Sequence, residues 1–518
     1  MNKRISRRDA LKVAGTALLP ILFPRQASAI DSLLQASQKK SNVLIILLDA
    51  LSARHLSLHG YPRHTSSSLE KFASRATVYH SHYSAGNFTT PGTASMLTGL
   101  LPWSHRGINL FGLMKRDRVH ENLFRQIGGG YHKIAFTQNM LAELLLRQFG
   151  NDLDLHLSFS FSSLDRTALS LSEGIGKDSV SSFYAIDDFL ATRRENDGPL
   201  AGSPLLGLLD LLRKKDETIE SESYPAGTPF NNYYTYLNGD TFNDILGVIE
   251  QARSSEKPFL GYFHLWSPHE PYRPRREFVG KFRKDDYEPV SKPEHPLTDT
   301  HRSRKELLRL RESYDEYIAD VDADLGLFLD ALERNGVLDM TYVIITSDHG
   351  QLFERGEHGH NTALLYDSVI HIPLLISAPG QSQRKDVYVP TSNVDLLPTL
   401  VSLADQEPSL GAEGKLLPGF GGMEDWDRSI YSMVAKTNSA FTPIKNASVS
   451  MLKGTKKLIY YMGYGDFDKV SELYDLEKDP DEMTDLASVD VPTASRMRDE
   501  LLTALKKAND SLGSKKNQ

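Results

Sequence analysis

The 518-residue sequence contains no cysteine. The chain therefore has no disulfide bond, no thiolate metal ligand and no thiol nucleophile, and it carries no lipid on cysteine. Its stability must come from a hydrophobic core, and 40% hydrophobic residues in a chain of this length are enough to build one. The length predicts either one large domain with a smaller one attached or two domains.

The N-terminal apolar run is too short to cross a membrane. It covers residues 13–23, eleven residues, whereas a membrane-spanning helix needs about 20. The run follows Arg7 and Arg8 and ends near the small residues 27–29, as in a twin-arginine export signal. We therefore predict that residues 1–29 are a signal peptide read by the twin-arginine translocation machinery. The expected location is the periplasm or the exterior, with no integral membrane domain; an uncleaved anchor is the alternative.

Basic residues are not in excess. The chain has 59 Lys and Arg against 67 Asp and Glu, which gives a net charge of −8. Removal of residues 1–29, with six basic residues and one acidic residue, changes this to −13. An acidic protein repels phosphate backbones and anionic lipid surfaces, so we expect no nucleic-acid partner.

Four apolar segments predict strands that are buried on both faces. They are NVLIILLDA from Asn42, PFLGYFHLW from Pro258, TYVIITSDHG from Thr341 and IPLLISAPG from Ile372. Helix-like segments alternate with them, beginning at Glu121, Thr241, Lys305 and Asn393. This alternation predicts an α/β fold in which helices cover both faces of a parallel sheet.

Two regions depart from the alternating pattern. The region of about 151–238 is rich in Ser, Asp and Gly, and we predict an insertion there that is a candidate lid. After Pro408 the pattern changes to short strands and turns, which predicts an antiparallel sheet. The predicted organisation is therefore a catalytic domain at 40–407 and a C-terminal subdomain at 408–518.

Polar side chains stand at the ends of three predicted strands. In chain order they are Asp49, His264, His269, Asp348 and His349. Strand ends of a parallel sheet face a shared crevice, and a buried carboxylate is costly unless it is paired or bound to a cation. Each residue alone has an ordinary explanation as a helix cap or a core histidine. Asp49, Asp348 and Thr89 with one imidazole form an oxygen-rich set that suits Mg²⁺, Mn²⁺ or Ca²⁺ better than Zn²⁺.

The segment NFTTPGTASMLTG at 87–99 places Thr89 and Thr90 directly before Pro91. One interpretation is a helix N-cap formed by these threonines. The other is a reactive hydroxyl, and a helix N-terminus would also attract a phosphate or sulfate group. The two interpretations are compatible with each other.

Six segments follow the order of motifs in the sulfatase family of the alkaline phosphatase superfamily, which the sequence resembles along most of its predicted mature part. They are VLIILLDALSARHLSLHGY, TTPGTASMLTGLLPWSHRG, WSPHEPY, TSDHGQLFERGEHGHN, SNVDLLPTLVSLA and ELYDLEKDPDEMTDLA. A lone SDHG would be weak evidence, but the ordered series is specific. The resemblance implies an alkaline phosphatase-like fold, with a mixed, mostly parallel sheet between helices and a smaller C-terminal α+β subdomain.

The resemblance also implies roles for individual residues. The implied metal ligands are Asp49, Thr89, Asp348 and His349. The implied catalytic residues are Thr89 as nucleophile and His269 and His360 at the transferred group or the leaving oxygen, and the candidates for substrate binding are His264 and Asn361. The implied cofactor is one divalent metal ion, Mg²⁺, Mn²⁺ or Ca²⁺. Ala50 replaces an aspartate of many sulfatases, which favours Mg²⁺ or Mn²⁺ over Ca²⁺.

Two further departures bear on the reaction. Sulfatases have Cys or Ser, converted to formylglycine, where this chain has Thr89, and arginine where it has Thr93. Hydrated formylglycine expels sulfate by collapsing to an aldehyde, and threonine has no second hydroxyl for that step. A phospho-threonine can instead be cleaved by water. We therefore predict a hydrolase of phosphate or phosphonate esters of a small molecule, a glycan or a lipid.

Several alternatives stay open at this stage. The chain can be a sulfatase that works without formylglycine, a phosphoryl-group transferase for envelope glycans or lipids, or a non-catalytic relic that binds anions. Thr90 is the rival nucleophile. Arg273, Arg275 and Arg276 either contact an anionic substrate or lie at an ordinary solvated surface.

Overall fold

The computed structural model describes residues 40–164, 222–231 and 233–513. The predicted signal peptide and the central part of the predicted insertion lie outside these ranges, so both stay predictions. The described residues from Asn42 onward belong to one compact unit. Among the described helices, none is both long and apolar enough to cross a membrane.

The described residues form ten α-helices and sixteen strands. The helices are α1 Ser67–Ala73, α2 Thr89–Thr98, α3 Pro102–His105, α4 Leu123–Gln126, α5 Met140–Gln148, α6 Asn238–Arg253, α7 Arg304–Arg334, α8 Asp367–Ile370, α9 Leu396–Leu403 and α10 Val491–Gly513. The strands are β1 Asn42–Leu48, β2 Thr77–Tyr79, β3 His82–Tyr83, β4 His132–Thr137, β5 Leu155–His156, β6 Phe259–Leu265, β7 Thr341–Thr346, β8 Leu352–Glu354, β9 Glu357–Gly359, β10 Leu374–Ser377, β11 Lys385–Val387, β12 Thr391–Ser392, β13 Ser429–Val434, β14 Ala447–Lys453, β15 Lys456–Met462 and β16 Val470–Asp475.

Eight strands form the central sheet, in the order β11-β2-β10-β7-β1-β6-β4-β5. The strands from β7 to β5 run parallel to one another. Strand β10 is antiparallel to both of its neighbours, β7 and β2. This confirms the mixed, mostly parallel sheet. The apolar run of β10 indicated burial on both faces, but burial does not determine the direction of a strand.

Alternate residues of β1 pack into two different cores. Leu44, Ile46 and Leu48 pack on the side of α1, α6 and α7. Val43, Ile45 and Leu47 pack on the side of α2, α5 and α9. Each such side chain contributes about 1.5 to 3 kcal/mol on burial. The strand is therefore apolar at every position because helices cover both faces of the sheet.

The predicted helices differ in how closely the structure matches them. Helix α7 begins at Arg304, close to its predicted start at Lys305. Ser303 caps it and forms a capping box with Glu306. The helix predicted from Glu121 is only the four-residue α4, preceded by a 3₁₀ turn. Glycines at 128–130 follow α4, and consecutive glycines disfavour continuation of a helix.

Strands β13 to β16 form the predicted C-terminal antiparallel sheet. A buried ion cluster connects β15 with α8 of the larger part of the unit. The Nζ atom of Lys457, whose side chain is 1% exposed, lies 2.8 Å from Oδ1 of Asp367 and 2.7 Å from Oε1 of Glu482. Glu482 also accepts a hydrogen bond of 2.8 Å from the backbone amide of Asp367. One lysine therefore pairs with two buried carboxylates at this junction.

Candidate active site

Four neighbouring strands of the central sheet end in polar side chains at one edge. Asp49 follows β1, Asn139 follows β4, His264 lies near the end of β6, and Asp348 and His349 follow β7. All of them lie in the interior, with at most 3% of the residue exposed. The expectation that parallel strand ends build the site is thus met by the geometry.

Each of the two buried carboxylates has one oxygen that is held and one that is open. Oδ2 of Asp49 accepts hydrogen bonds from Asn139 and His264, and Oδ1 has no hydrogen-bond partner. Oδ1 of Asp348 accepts from the backbone amides of Ala50 and His349, and Oδ2 has no partner. A buried, unpartnered carboxylate oxygen is costly unless a cation compensates it.

The open oxygens converge on one nitrogen of His349. Its Nδ1 donates to the carbonyl of Gly350 at 2.9 Å, which leaves Nε2 with a lone pair. Nε2 lies 3.4 Å from Oδ1 of Asp49 and 3.6 Å from Oδ2 of Asp348. Ligands of one Mg²⁺, each about 2.1 Å from it, lie about 3 Å apart. The donor set therefore fits a divalent cation, and it is the one such group among the described residues.

The electrostatics of the two carboxylates differ. Burial opposes ionisation of Asp49, but His269, His264 and His349 outweigh it and lower the pKa of Asp49 to about 2. Burial and the negative charge of Asp49 raise the pKa of Asp348. In the described residues neither carboxylate forms an ion pair with Lys or Arg. Holding both groups ionised therefore requires additional positive charge.

Thr89 is the first residue of α2 rather than its cap. Phe88 occupies the N-cap position and no side chain caps the helix, so the N-cap interpretation of the threonines is wrong. Oγ1 of Thr89 lies 3.4 Å from Nε2 of His349. Oγ1 of Thr90 is buried without a hydrogen-bond partner. Only Thr89 of the pair therefore contacts the carboxylate-histidine cluster.

Glycine at position 92 allows α2 to lie directly against the end of β7. A Cβ at Gly92 would be 2.3 Å from the carbonyl oxygen of Asp348, closer than real Cβ atoms come. The side chain of Ser84 donates to the same carbonyl at 2.5 Å. The glycine of the threonine segment therefore permits the close approach that places Thr89 beside His349.

Ala50 has a left-handed backbone, with φ of 59°. A non-glycine residue in this region is strained, and such strain persists only where neighbours fix it. Here the amide of Ala50 donates to Asp348, and its carbonyl accepts a 2.6 Å hydrogen bond from Tyr314. This position links the two carboxylate-bearing strand ends.

Sequence reasoning missed Asn139. Its Nδ2 donates to Oδ2 of Asp49 at 2.5 Å and to Oγ1 of Thr89 at 3.0 Å. A usable signal was present, because Asn139 lies after the apolar run of β4 and before the helix-like MLAELLLRQ. A polar residue at a strand end is the same pattern that identified Asp49.

The rings of His269 and His360 lie next to the ring of His349. The ring of His360 stacks on that of His349 with centroids 4.3 Å apart, and its centroid is 4.8 Å from that of His269. His269 donates through Nδ1 to the carbonyl of Glu270, and Nδ1 of His360 contacts Oε1 of Gln351 at 2.7 Å. Burial and the neighbouring His349 lower the pKa of His360 well below its usual value. Both effects favour the neutral form of the His360 ring.

The predicted substrate-binding residues are placed differently from each other. His264 is fully buried, and its Nε2 lies 3.2 Å from Asp49 and 3.9 Å from Asp348. It therefore belongs to the carboxylate cluster, and a direct substrate contact stays a prediction. Asn361 follows His360, and its carbonyl accepts a 2.7 Å hydrogen bond from Lys436; its predicted role is likewise open.

The three arginines of the YRPRREF loop are engaged in the protein. Arg275 pairs with Asp320 and Asp324 at 2.6 and 2.8 Å. Arg273 and Arg276 donate to the carbonyls of Thr228 and Glu222. These bonds give all three a structural explanation that needs no substrate.

Two family models match the chain. The model described as sulfatase matches residues 41–151 and 182–406, and it leaves the residues between them unmatched. The model described as the C-terminal part of N-sulphoglucosamine sulphohydrolase matches residues 356–511.

Similar proteins agree with these models. The uncharacterized sulfatase YidJ of Escherichia coli is 28% identical over 298 residues, which are 52% of this chain and 55% of YidJ, so the chain spans about half the length of that relative. Choline-sulfatase of Rhizobium meliloti is 24% identical, with 89% of this chain and 86% of that protein covered. The structure of a phosphonate monoester hydrolase from Silicibacter pomeroyi has a TM-score of 0.64 at 18% identity, covering 90% of this chain and 96% of the other. At this identity the structural likeness concerns the fold alone.

Proposed function

Because this chain belongs to the sulfatase family, we propose that it is a metal-dependent hydrolase of phosphate or phosphonate esters with Thr89 as the nucleophile. One observation carries the proposal. The hydroxyl of Thr89 lies 3.4 Å from Nε2 of His349, beside two carboxylate oxygens that have no hydrogen-bond partner. The proposed nucleophile and the proposed metal ligands therefore lie in one buried cluster.

Asp49, Asp348 and His349 are the residues that would hold one divalent cation, Mg²⁺, Mn²⁺ or Ca²⁺. Such a cation supplies a Lewis acid beside Thr89 and lowers the cost of deprotonating its hydroxyl. The uncapped N-terminus of α2 adds backbone amides and a positive potential, which favour a phosphoryl group at this place.

The remaining steps follow from the protein groups. Thr89 Oγ1 attacks the phosphorus atom in line: the Oγ–P bond forms, the bond from phosphorus to the ester oxygen breaks, and the proton that Thr89 loses balances the one that the leaving oxygen takes up. His269 and His360 are next to the site, and a well-placed donor to the developing charge contributes about 3 to 4 kcal/mol. Oε1 of Gln351 takes the Nδ1–H of His360, so His360 can donate to the anion through Nε2 only when its ring is protonated. Water then cleaves the phospho-threonine and restores Thr89.

The threonine itself favours phosphorus over sulfur. Formylglycine has two hydroxyls after hydration, and Thr89 has one. The sulfate of a sulfo-threonine could therefore be released only by attack of water at sulfur. A sulfatase reaction is the second candidate, supported by the family and by relatives named as sulfatases.

A panel of four substrates separates these candidates. We expect turnover of an aryl phosphate monoester, an aryl phosphate diester and a phosphonate monoester to exceed that of an aryl sulfate. Cleavage of the sulfate alone would replace the proposal with the second candidate. The released phenol and any phosphorylated acceptor are measured with and without an added acceptor alcohol. A phosphorylated acceptor would identify a transferase.

Cation binding gives a test that needs no substrate. We expect Mn²⁺ or Mg²⁺ at 100 times its dissociation constant to add about 2.7 kcal/mol to the free energy of unfolding, followed as a rise in Tm. Asp348→Asn should remove this response, because it replaces an open ligand oxygen. Asp322→Asn is the matched control, since Asp322 is a buried carboxylate that caps α1 through the amides of Ser68 and Leu69. An unchanged response in Asp348→Asn would contradict the assigned ligand set.

The cellular location of the protein is part of the same proposal. The twin arginines and apolar run of residues 1–29 support export through the twin-arginine machinery to the periplasm or beyond. Fractionation of cells that carry the full chain, compared with Arg7→Lys/Arg8→Lys, tests this expectation.

A further inference from the structure

We propose that Asn139 is a catalytic residue whose amide group stabilises the Thr89 alkoxide. It does so in place of the arginine that the family pattern has at the position of Thr93. The inference rests on the proposed function, in which Thr89 is the nucleophile. It concerns a residue outside the six sequence segments that resemble the family.

The contacts of Asn139 join the nucleophile to a metal ligand. One amide nitrogen, Nδ2, lies 3.0 Å from Oγ1 of Thr89 and 2.5 Å from Oδ2 of Asp49. Its two N–H groups can serve both acceptors at once. Because Oδ2 of Asp49 is thereby occupied, Oδ1 of the same carboxylate is the oxygen left open for a cation.

The orientation of the amide is set by the backbone. Oδ1 of Asn139 accepts a 2.8 Å hydrogen bond from the amide of Leu141, as the N-cap of α5. A backbone N–H only donates, so the oxygen must face Leu141 and the nitrogen must face Thr89. Asn139 is therefore a donor to the Thr89 oxygen, and a donor there favours the alkoxide over the alcohol.

In the described residues, no Lys or Arg side chain hydrogen-bonds to the hydroxyl of Thr89. Thr89 has hydrogen bonds with Asn139 and His349. Thr93, where the family pattern has arginine, is fully buried one turn later on α2. Beside the proposed divalent cation, the described residues add positive potential at Thr89 through the amide of Asn139 and through the N-termini of α2 and α5, both of which begin beside it.

The loop that carries Asn139 is fixed on several sides. The amide of Asn139 donates to Oγ1 of Thr137 at 3.0 Å. The side chain of Gln138 accepts from the amide of Trp266 at 2.9 Å and donates to Thr241 at 3.2 Å. A donor held in place before the reaction needs no reorganisation when negative charge develops, which is the condition for a large catalytic effect.

The test compares Asn139→Ser with the wild type. Serine keeps an N-cap acceptor for α5 and removes the amide nitrogen that reaches Thr89. We expect kcat on the best phosphorus ester to fall by about 10² to 10³, with KM changed little, as for loss of one oxyanion donor. The rate of Thr89 labelling by an aryl fluorophosphonate, which loses fluoride as the Oγ–P bond forms, should fall by a similar factor in peptide mass spectra.

Asn122→Ser is the matched control. Asn122 is also a fully buried N-cap asparagine, with Oδ1 accepting from the amide of Arg125 at 3.0 Å. The same substitution there should leave kcat and the labelling rate unchanged. Asn139→Asp is the second variant, because it keeps the shape and the cap and presents oxygen instead of N–H to Thr89; it should also lose kcat.

The outcomes separate the two proposals. If the wild type cleaves phosphorus esters and is labelled at Thr89, while both Asn139 variants keep its kcat and labelling rate, the inference about Asn139 is overturned and the proposed function stands. If the wild type neither cleaves these esters nor is labelled at Thr89, the proposed function fails and takes the inference with it. Equal losses in the Asn122 and Asn139 serine variants would reduce Asn139 to a helix cap.

Discussion

Replacing Thr89 by alanine is expected to lower kcat on phosphorus esters by about 10⁴-fold or more, as is typical when a covalent nucleophile is removed. The hydroxyl is the group that contacts Nε2 of His349 and Nδ2 of Asn139, and alanine has nothing to put in its place. Initial rates on the best ester of the panel measure the effect. The stabilisation of the variant by Mn²⁺ or Mg²⁺ should remain detectable, because Asp49, Asp348 and His349 are intact.

Thr90→Ala is the matched control for Thr89→Ala. It makes the same chemical change one residue along α2, at a hydroxyl without a hydrogen-bond partner. We expect it to retain most of the activity, and Thr89→Ser, which keeps a hydroxyl, to retain a substantial part. Loss of activity in Thr90→Ala with activity kept in Thr89→Ala would assign the nucleophile to Thr90. Activity in both alanine variants would exclude a threonine nucleophile.

The largest effect on stability is expected from Lys457→Met. The substitution keeps an unbranched side chain one atom shorter and removes the cation between Asp367 and Glu482, whose side chains are 7% and 1% exposed. Removing one partner of a buried ion pair typically costs about 3 to 5 kcal/mol, since it leaves buried charge uncompensated. Unfolding by urea, followed by circular dichroism, measures the change in the free energy of unfolding.

The adjacent residue provides the comparison. Lys456 pairs with Asp475 at 2.8 Å, and its side chain is 32% exposed. Pairs that involve an exposed partner contribute about 0 to 1 kcal/mol, so Lys456→Met should change stability little. If the two variants unfold at the same urea concentration, the buried cluster does not stabilise the junction of β15 and α8. Because the cluster contains none of the proposed catalytic residues, wild-type kcat is expected for any folded Lys457→Met protein.

The candidate site shows how far residue patterns reach. Asp49, Asp348 and His349 were identified by a local feature, a polar residue directly after an apolar run, and that feature reflects a strong physical constraint on buried charge. Asn139 carries the same feature in weaker form, because an uncharged amide is tolerated at a strand end and at a helix cap for ordinary reasons. Its contacts with Thr89 and Asp49 join residues 50 and 90 positions away, which no local pattern encodes.

The sequence likewise predicted some features of the fold and not others. Continuous apolar runs predicted the buried strands because helices on both faces require apolar residues at every position. They did not predict that β10 runs antiparallel, since burial is the same in either direction. The threonine segment was locally consistent with an N-cap, and the structure instead starts α2 at Thr89, where the glycine at 92 lets the helix approach Asp348.

By itself, the sequence determined the α/β class, the family resemblance and the residue types available for a metal site, because periodicity, buried charge and motif order are properties of short segments. Only the tertiary structure decided which carboxylate oxygens stay open, which threonine faces His349, and that Asn139 joins them. Those facts depend on distances between strand ends far apart in the chain, and such distances are fixed by packing across the sheet rather than by any local preference.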